Sequence, residues 1–281
     1  MRLIFRLLFL ILGCSASLQA LGSQFLVVPV TARELTIINT PWRNPALGYI
    51  AGIRPQIVLS YGHWLAGTRS FAFQYQQGRT VLQLRYLGLK DLELRTTRPT
   101  DEPLAKFGAY GTSVEGATSR KWGKLDFGLG LKVLYFQIYT QSSSGIGLDL
   151  GLRHRLNENN YVSLSVLNLG QMNTFRERRP VLPRRLIAGM GNTFSFNGYK
   201  TETVLNLERS ALVDQLILEL GNQFFYRNLV ISNTFQTVGA VFTYSAGIGI
   251  HFGIYSLYYG LRTGRSALGT PQMMDISVRL P

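Results

Sequence analysis

Along most of this chain, apolar and polar positions alternate with a period of two. In Lys124-Leu125-Asp126-Phe127-Gly128-Leu129-Gly130-Leu131-Lys132-Val133 every odd position is large and apolar, and every even one is charged or glycine. Leu148-Asp149-Leu150-Gly151-Leu152-Arg153 repeats the pattern, as does Met274-Asp275-Ile276-Ser277-Val278-Arg279-Leu280. Alternate side chains of a strand point to opposite faces, so each segment has one oily face and one polar face. The pattern predicts strands near 56–64, 69–77, 80–92, 106–115, 122–136, 145–155, 160–169, 184–196, 199–208, 213–226, 228–236, 240–250, 253–263 and 272–280. A soluble sandwich with one wet face alternates in the same way. An unbroken series of about fourteen strands, with no helical interruption, fits an up-and-down barrel better.

The expected fold class is therefore all-β: a transmembrane antiparallel up-and-down β-barrel over residues 55–281. An even strand count puts both barrel ends on one side. Outer-membrane barrels keep short periplasmic turns and longer outer loops. With a periplasmic N-terminus, the outer connections include Glu93 to Ala105, Gln137 to Ser144, Gly170 to Pro183 and Gly264 to Pro271. The inner ones are short, such as Gln77-Gly78-Arg79 and Asn197-Gly198, with Gly116 to Lys121 as a partial exception. Aromatic residues near strand ends (Trp64, Trp122, Tyr135-Phe136, Tyr139, Phe224-Phe225-Tyr226, Tyr258-Tyr259) suit interfacial belts.

The N-terminus changes the compartment. Arg2 and Arg6 precede an apolar run to Leu12, and small residues follow at Cys14, Ser15, Ala16 and Ser17. This reads as a secretory signal peptide over residues 1–20, cleaved after Ala16 or Ala20. The run is too short to span a membrane. Cys14, the only cysteine, stands in a sequence similar to a lipoprotein box. Residues 21–54 alternate poorly and are expected to pack in or under the barrel at its periplasmic mouth. The destination is the outer membrane of a diderm bacterium.

Composition agrees with a barrel. The chain is 46% hydrophobic but only 16% charged, against about 25% charged in soluble domains. Mean hydropathy is +0.09, as expected when an apolar outer face is averaged with a polar inner one. The formal net charge of +14 suits anionic partners. No nucleic-acid motif is present, so outer-membrane lipid and lipopolysaccharide are the expected contacts.

The candidate chemistry lies on the polar phase. Lys132 and Asp149 fall on neighbouring strands and are placed to pair inside the lumen; Asp126 and Arg153 share that phase. Glu202, Glu208, Glu219, Asp275 and Arg279 also fall on it. Glycines 128, 130, 147 and 151 leave room for a plug or bound chain, or relieve crowding. Arg176, Arg178, Arg179, Arg184 and Arg185 cluster around an outer connection, where guanidinium groups suit phosphate or an acidic partner. His63, His154 and His251 lie on separate strands, which offers no metal site and no nucleophile–base motif. No cofactor and no catalysis are expected.

Several pieces resemble the PorV and PorQ proteins of the type IX secretion system, which are related to FadL-type outer-membrane barrels. They are Val28-Pro29-Val30-Thr31-Ala32-Arg33, the turn Asn44-Pro45-Ala46, Gly130-Leu131-Lys132-Val133-Leu134-Tyr135, Gly147-Leu148-Asp149-Leu150-Gly151-Leu152, Val166-Leu167-Asn168-Leu169-Gly170 and Leu182-Pro183-Arg184-Arg185-Leu186-Ile187-Ala188-Gly189. The order and spacing fit over roughly residues 24–195. The resemblance implies a fourteen-stranded barrel that supports secretion or surface attachment of cargo proteins, with secretion-machinery proteins as partners. The alternative is a FadL-like transporter of hydrophobic small molecules. A continuous apolar lumen with a side opening would favour transport. A plugged or polar lumen would favour secretion. A Ser–His pair near the outer leaflet would favour an enzyme acting on lipids.

Overall fold

The computed structural model describes residues 23–48, 54–95, 101–264 and 269–281. The expected signal peptide and Cys14 lie outside the described residues. The strands are β1 (Gln56–His63), β2 (Arg69–Gln77), β3 (Thr80–Leu94), β4 (Ala105–Trp122), β5 (Leu125–Ile138), β6 (Gln141–Arg155) and β7 (Asn160–Met172). They continue as β8 (Arg185–Phe196), β9 (Tyr199–Ser210), β10 (Val213–Tyr226), β11 (Leu229–Val238), β12 (Val241–Phe252), β13 (Tyr255–Gly264) and β14 (Gln272–Arg279). Each pairs antiparallel with its neighbours in sequence, and β1 pairs with β14 to close the barrel. Closure leaves no unpaired sheet edge, which is what lets strands span lipid.

The alternation sets the faces. On β5, Phe127, Leu129, Leu131 and Val133 are exposed, whereas Asp126, Lys132, Leu134 and Phe136 are buried inward. Exposed Leu, Ile, Phe and Tyr side chains recur on the outer face of every hairpin from β1 to β14.

The turns at the end carrying both barrel termini are two residues each, except 156–159 between β6 and β7. Asn197 (φ 44°) and Gly198 (φ 81°) both take positive φ, as a two-residue hairpin turn that follows strand twist requires. The opposite end carries 95–104, 173–184 and 265–271. By the loop-length rule this is the outer end, and the end with the termini is periplasmic.

Two expected connections are different. Ser142 to Ser144 pair with Gln137 to Tyr135, so the loop shrinks to Tyr139-Thr140. Residues 116–121 are strand: Gly116 pairs with Leu131 and Lys121 with Asp126. Small polar residues look like turns in isolation, but pairing on both sides of a central strand overrides that preference.

Residues 23–48 lie inside the barrel and reach far deeper than its mouth. A 3₁₀ turn, Gln24–Val27, precedes the helix α1 (Ala32–Thr36), and a second 3₁₀ turn covers Pro45–Gly48. Helix α1 packs on β11 to β14, and the Pro45–Gly48 turn on β4 to β6. The segment therefore crosses the lumen from one wall to the other.

Candidate functional site: the occupied lumen

An irregular segment inside a barrel must find partners for its backbone groups, because a buried, unpaired carbonyl or amide is costly. The inward-facing strand positions supply them. Arg85 donates to Val28 O (2.8 Å), Arg262 to Leu35 O (3.1 Å), Thr234 to Thr36 O (2.8 Å), Asn206 to Ile38 O (3.3 Å) and Ser165 to Arg43 O (2.7 Å). Helix α1 is bracketed by wall charges. Asp275 accepts from Ala32 N (2.7 Å), Arg33 N (3.0 Å) and the Ser60 hydroxyl (2.6 Å), while Arg262 donates at the C-terminal carbonyl. An anion at the first turn and a cation at the last satisfy groups the helix itself leaves open. Thr31 caps the same turn by accepting from Glu34 N.

Past the helix, Trp42 stands at the centre of the charged lumen. The guanidinium carbons of Arg85 and Arg185 lie 4.9 Å from its ring centroid, and that of Arg43 lies 5.5 Å away. A desolvated guanidinium over an indole face gains about 2 kcal/mol or more. Carboxylates compensate the three charges. Arg185 forms a two-pronged pair with Glu208 (2.6 and 2.8 Å), Arg43 pairs with Glu219 and lies 3.5 Å from Glu208, and Arg85 lies 3.6 Å from Glu34. Nε and Nη1 of Arg85 have no acceptor, so the indole face is the partner of that side of the group.

The Asn44-Pro45-Ala46 turn closes against β5 and β6. Asn44 Oδ1 accepts from Ala46 N (2.9 Å), and its Nδ2 reaches the carbonyls of Leu152 and Leu164. A Cβ on Gly128 would run into the Pro45–Ala46 backbone, and one on Gly151 into Asn44 and Ala46. These two glycines are the seat of the turn. Gly147 instead makes way for the stem of Lys132.

Lys132 Nζ lies 2.6 Å from Asp149 Oδ2 and donates to Asn168 Oδ1 (2.9 Å). Asp149 also accepts from Asn168 N (2.7 Å), and Asn168 sits at φ 60° where the β6–β7 register shifts. Asp126 is separate: it takes Arg153 (2.8 Å) and Arg155 (2.9 Å) nearer the periplasmic end. The four residues form two clusters rather than one network.

The two ends of the lumen differ. At the outer end Phe25 and Leu26 pack with Leu134, Phe136, Met172 and Leu182. At the periplasmic end a vestibule of about 1050 Å³ opens between the segment and the wall, lined by Arg33, Trp42, Arg153, Tyr161, Phe225 and Arg279 among others.

Of the outer-loop arginines, Arg176, Arg178, Arg179 and Arg184 are exposed. Arg185 is not among them: it opens β8 on the inward phase, is 3% exposed and belongs to the Trp42 cluster. The aromatic pairs also divide. Tyr135 and Tyr259 fall on the outward phase, but their neighbours Phe136 and Tyr258 are buried inward, because adjacent strand residues cannot share a face. His251 Nδ1 lies 2.6 Å from Ser256 Oγ, a Ser–His pair at the periplasmic end and not near the outer leaflet. Arg33 and Arg279 are its charged neighbours, where an orienting acid would be needed for a nucleophile. Sequence reasoning missed Trp42, Arg43 and Arg85. Arg85 was open to discovery, since Val81, Gln83 and Arg85 share one phase of β3. Trp42 and Arg43 sit in a segment without periodicity.

These features define an outer-membrane-type barrel with an occupied lumen. Among solved structures, the chain is similar to the Pseudomonas putida toluene transporter TodX, with TM-score 0.57 and 10% identity over 89% of this chain and 96% of that one. It is also similar to the outer membrane protein Omp33 of Acinetobacter baumannii, with TM-score 0.51 and 8% identity over 81% and 98%. A Pseudomonas aeruginosa FadL homologue overlaps at TM-score 0.47 and 9% identity, over 91% and 97%. At such identities the first two likenesses establish the fold and nothing finer. No protein-family model matches the chain. No curated protein matches it either. The resemblance to PorV and PorQ therefore gains no support from these comparisons.

Proposed function

We propose that this protein is an outer-membrane channel for small apolar molecules, closed by residues 23–48. The observation that carries this reading is the outer end of the lumen. Inward strand positions of a barrel are ordinarily polar, yet here Leu134, Phe136 and Met172 are apolar, and Phe25 and Leu26 of the segment fill the space between them. Withdrawal of those two side chains would leave an apolar space among Leu134, Phe136, Met172 and Leu182, which an apolar solute could fill in their place. TodX is a toluene transporter, which suits this reading. The lumen is not continuously apolar, so passage requires the polar middle of the segment to move.

The test is uptake of an apolar fluorescent probe, N-phenylnaphthylamine, by cells with and without the chain. Expression of the protein speeds uptake, and Phe25→Ala with Leu26→Ala speeds it further. Equal uptake in all three strains overturns the reading.

One observation favours the secretion role: the middle of the lumen is polar and plugged, with exposed arginines above it. Affinity purification from outer membranes separates the two readings. Copurifying secretion-machinery proteins support secretion, and their absence supports transport.

A further inference from the structure

Seven guanidinium and ammonium groups line the vestibule (Arg33, Arg54, Arg153, Arg155, Lys200, Arg227 and Arg279) against four carboxylates (Glu34, Glu158, Glu202 and Asp275). Two of its lining carboxylates are committed elsewhere: Glu34 accepts from Val30 N and Gln83, and Asp275 from Ala32 N, Arg33 N and Ser60. A third, Glu202, accepts from Asn39, and the fourth, Glu158, is exposed in the turn between β6 and β7. Against these, Arg33, Arg54, Lys200, Arg227 and Arg279 line the same space, and none of their charged side-chain groups has a carboxylate within 4.0 Å among the described residues. Arg153 and Arg155 share the single charge of Asp126. A concave site with an excess of one sign, walled by low-dielectric material, focuses its field on ions of the other sign.

One wall brings three of these donors together. His251 of β12 is the register partner of Ser256 of β13, which is in turn the partner of Ser277 of β14. Arg279 lies two positions further along β14 on the same inward phase, and Arg33 leans in from α1 over the Tyr258 ring at 5.8 Å. Ser256 occupies Nδ1 of His251, which leaves Nε2 for another partner. Arg279 spends one Nη2–H on Gly253 O (2.9 Å) and keeps the rest of its fork.

We propose that the wall formed by Arg33, His251 and Arg279 binds a small phosphate-type oxyanion, free or carried as a phosphate ester. Two guanidinium forks and an imidazole present more donors than the two oxygens of a carboxylate can accept, whereas a tetrahedral oxyanion with three or four acceptors can satisfy them. Ser256 fixes the imidazole orientation, and the Arg33 backbone amide held by Asp275 fixes the start of α1. The inference depends on the vestibule alone and stands whether or not the barrel carries apolar solutes.

The experiment titrates inorganic phosphate into the purified full-length protein in uncharged detergent at pH 7 and low salt, read by calorimetry. Wild type shows saturable binding at one site. Arg33→Gln and Arg279→Gln each weaken it at least tenfold, while Lys106→Gln, an exposed cation of β4 at the outer end, leaves it unchanged. Arg279 is exposed at a strand end, so its variant keeps the test sound even if Arg33→Gln misfolds. Glycerol phosphate binding with the same dependence on Arg279 extends the site to esters; phosphate alone restricts it to the free ion. No saturable binding by wild type, equal binding by the Arg279 variant, or acetate competing as well as phosphate overturns the proposal.

Discussion

Residues 24–27 and residues 42–46 belong to one short segment and sit in one lumen, yet the wall receives them in opposite ways. The first piece is held by apolar contact: Phe25 and Leu26 fill a space among Leu134, Phe136, Met172 and Leu182. The second is held by charge and by fit, with Arg43 on Glu208 and Glu219, Trp42 under Arg85 and Arg185, and the Asn-Pro-Ala turn seated on Gly128 and Gly151. Apolar contact is non-directional and can be replaced by another apolar molecule of similar volume. Buried ion pairs fail badly when one partner is removed, because the other charge stays buried without compensation. One end of the segment is thus exchangeable and the other is an anchor.

The comparison breaks first at the anchor. Glu208→Ala leaves Arg185 and Arg43 under-compensated, and it should destabilise docking of the segment by about 3–5 kcal/mol. Hydrogen exchange in detergent would show residues 28–46 losing protection while the strands keep theirs. Protection equal to wild type would mean that the pair contributes nothing to holding the segment. Phe25→Ala should cost about 3 kcal/mol as a large-to-small change in a packed site. Its loss of protection should stay local to residues 23–28, and an added apolar molecule such as toluene should restore it. The same addition should not rescue Glu208→Ala, which is the sharpest contrast between the ends.

Gly128→Val should follow, at about 1–3 kcal/mol, because the new side chain meets the Pro45–Ala46 backbone. Protease accessibility of residues 41–48 reads this out, and Gly116→Ala on β4, whose new Cβ makes only an ordinary contact with Leu82, is a control for general strand effects. Arg178→Ser with Arg179→Ser should change stability by less than about 0.5 kcal/mol, since exposed loop positions rarely do more. A larger drop in midpoint would show that the outer loop braces the apolar end of the segment.

Much of the barrel is legible in the sequence because period two is a local property. The expected β2 range, 69–77, matches Arg69–Gln77, and 213–226 matches Val213–Tyr226. The two misread connections, at 116–121 and 142–144, consist of small polar residues whose strand conformation comes from neighbours on both sides. The inward phase of Lys132, Asp149, Asp126 and Arg153 was equally readable. Their division into two clusters was not, because it depends on how far up the wall each residue stands.

The sequence by itself determined the alternation of oily and polar faces, the even number of strands and which end carries the long connections. Each follows from neighbours along the chain. Only the tertiary structure decided that residues 23–48 enter the lumen, that Arg185 turns from the outer loop to the Trp42 cluster, and that Gly128 and Gly151 seat a turn more than eighty residues upstream of them. The reason is physical. A strand's faces are fixed by its own backbone, but what fills a lumen is fixed by pairing among side chains far apart in sequence. Two glycines in an alternating strand look like mere gaps in the pattern until the chain that occupies them is in place.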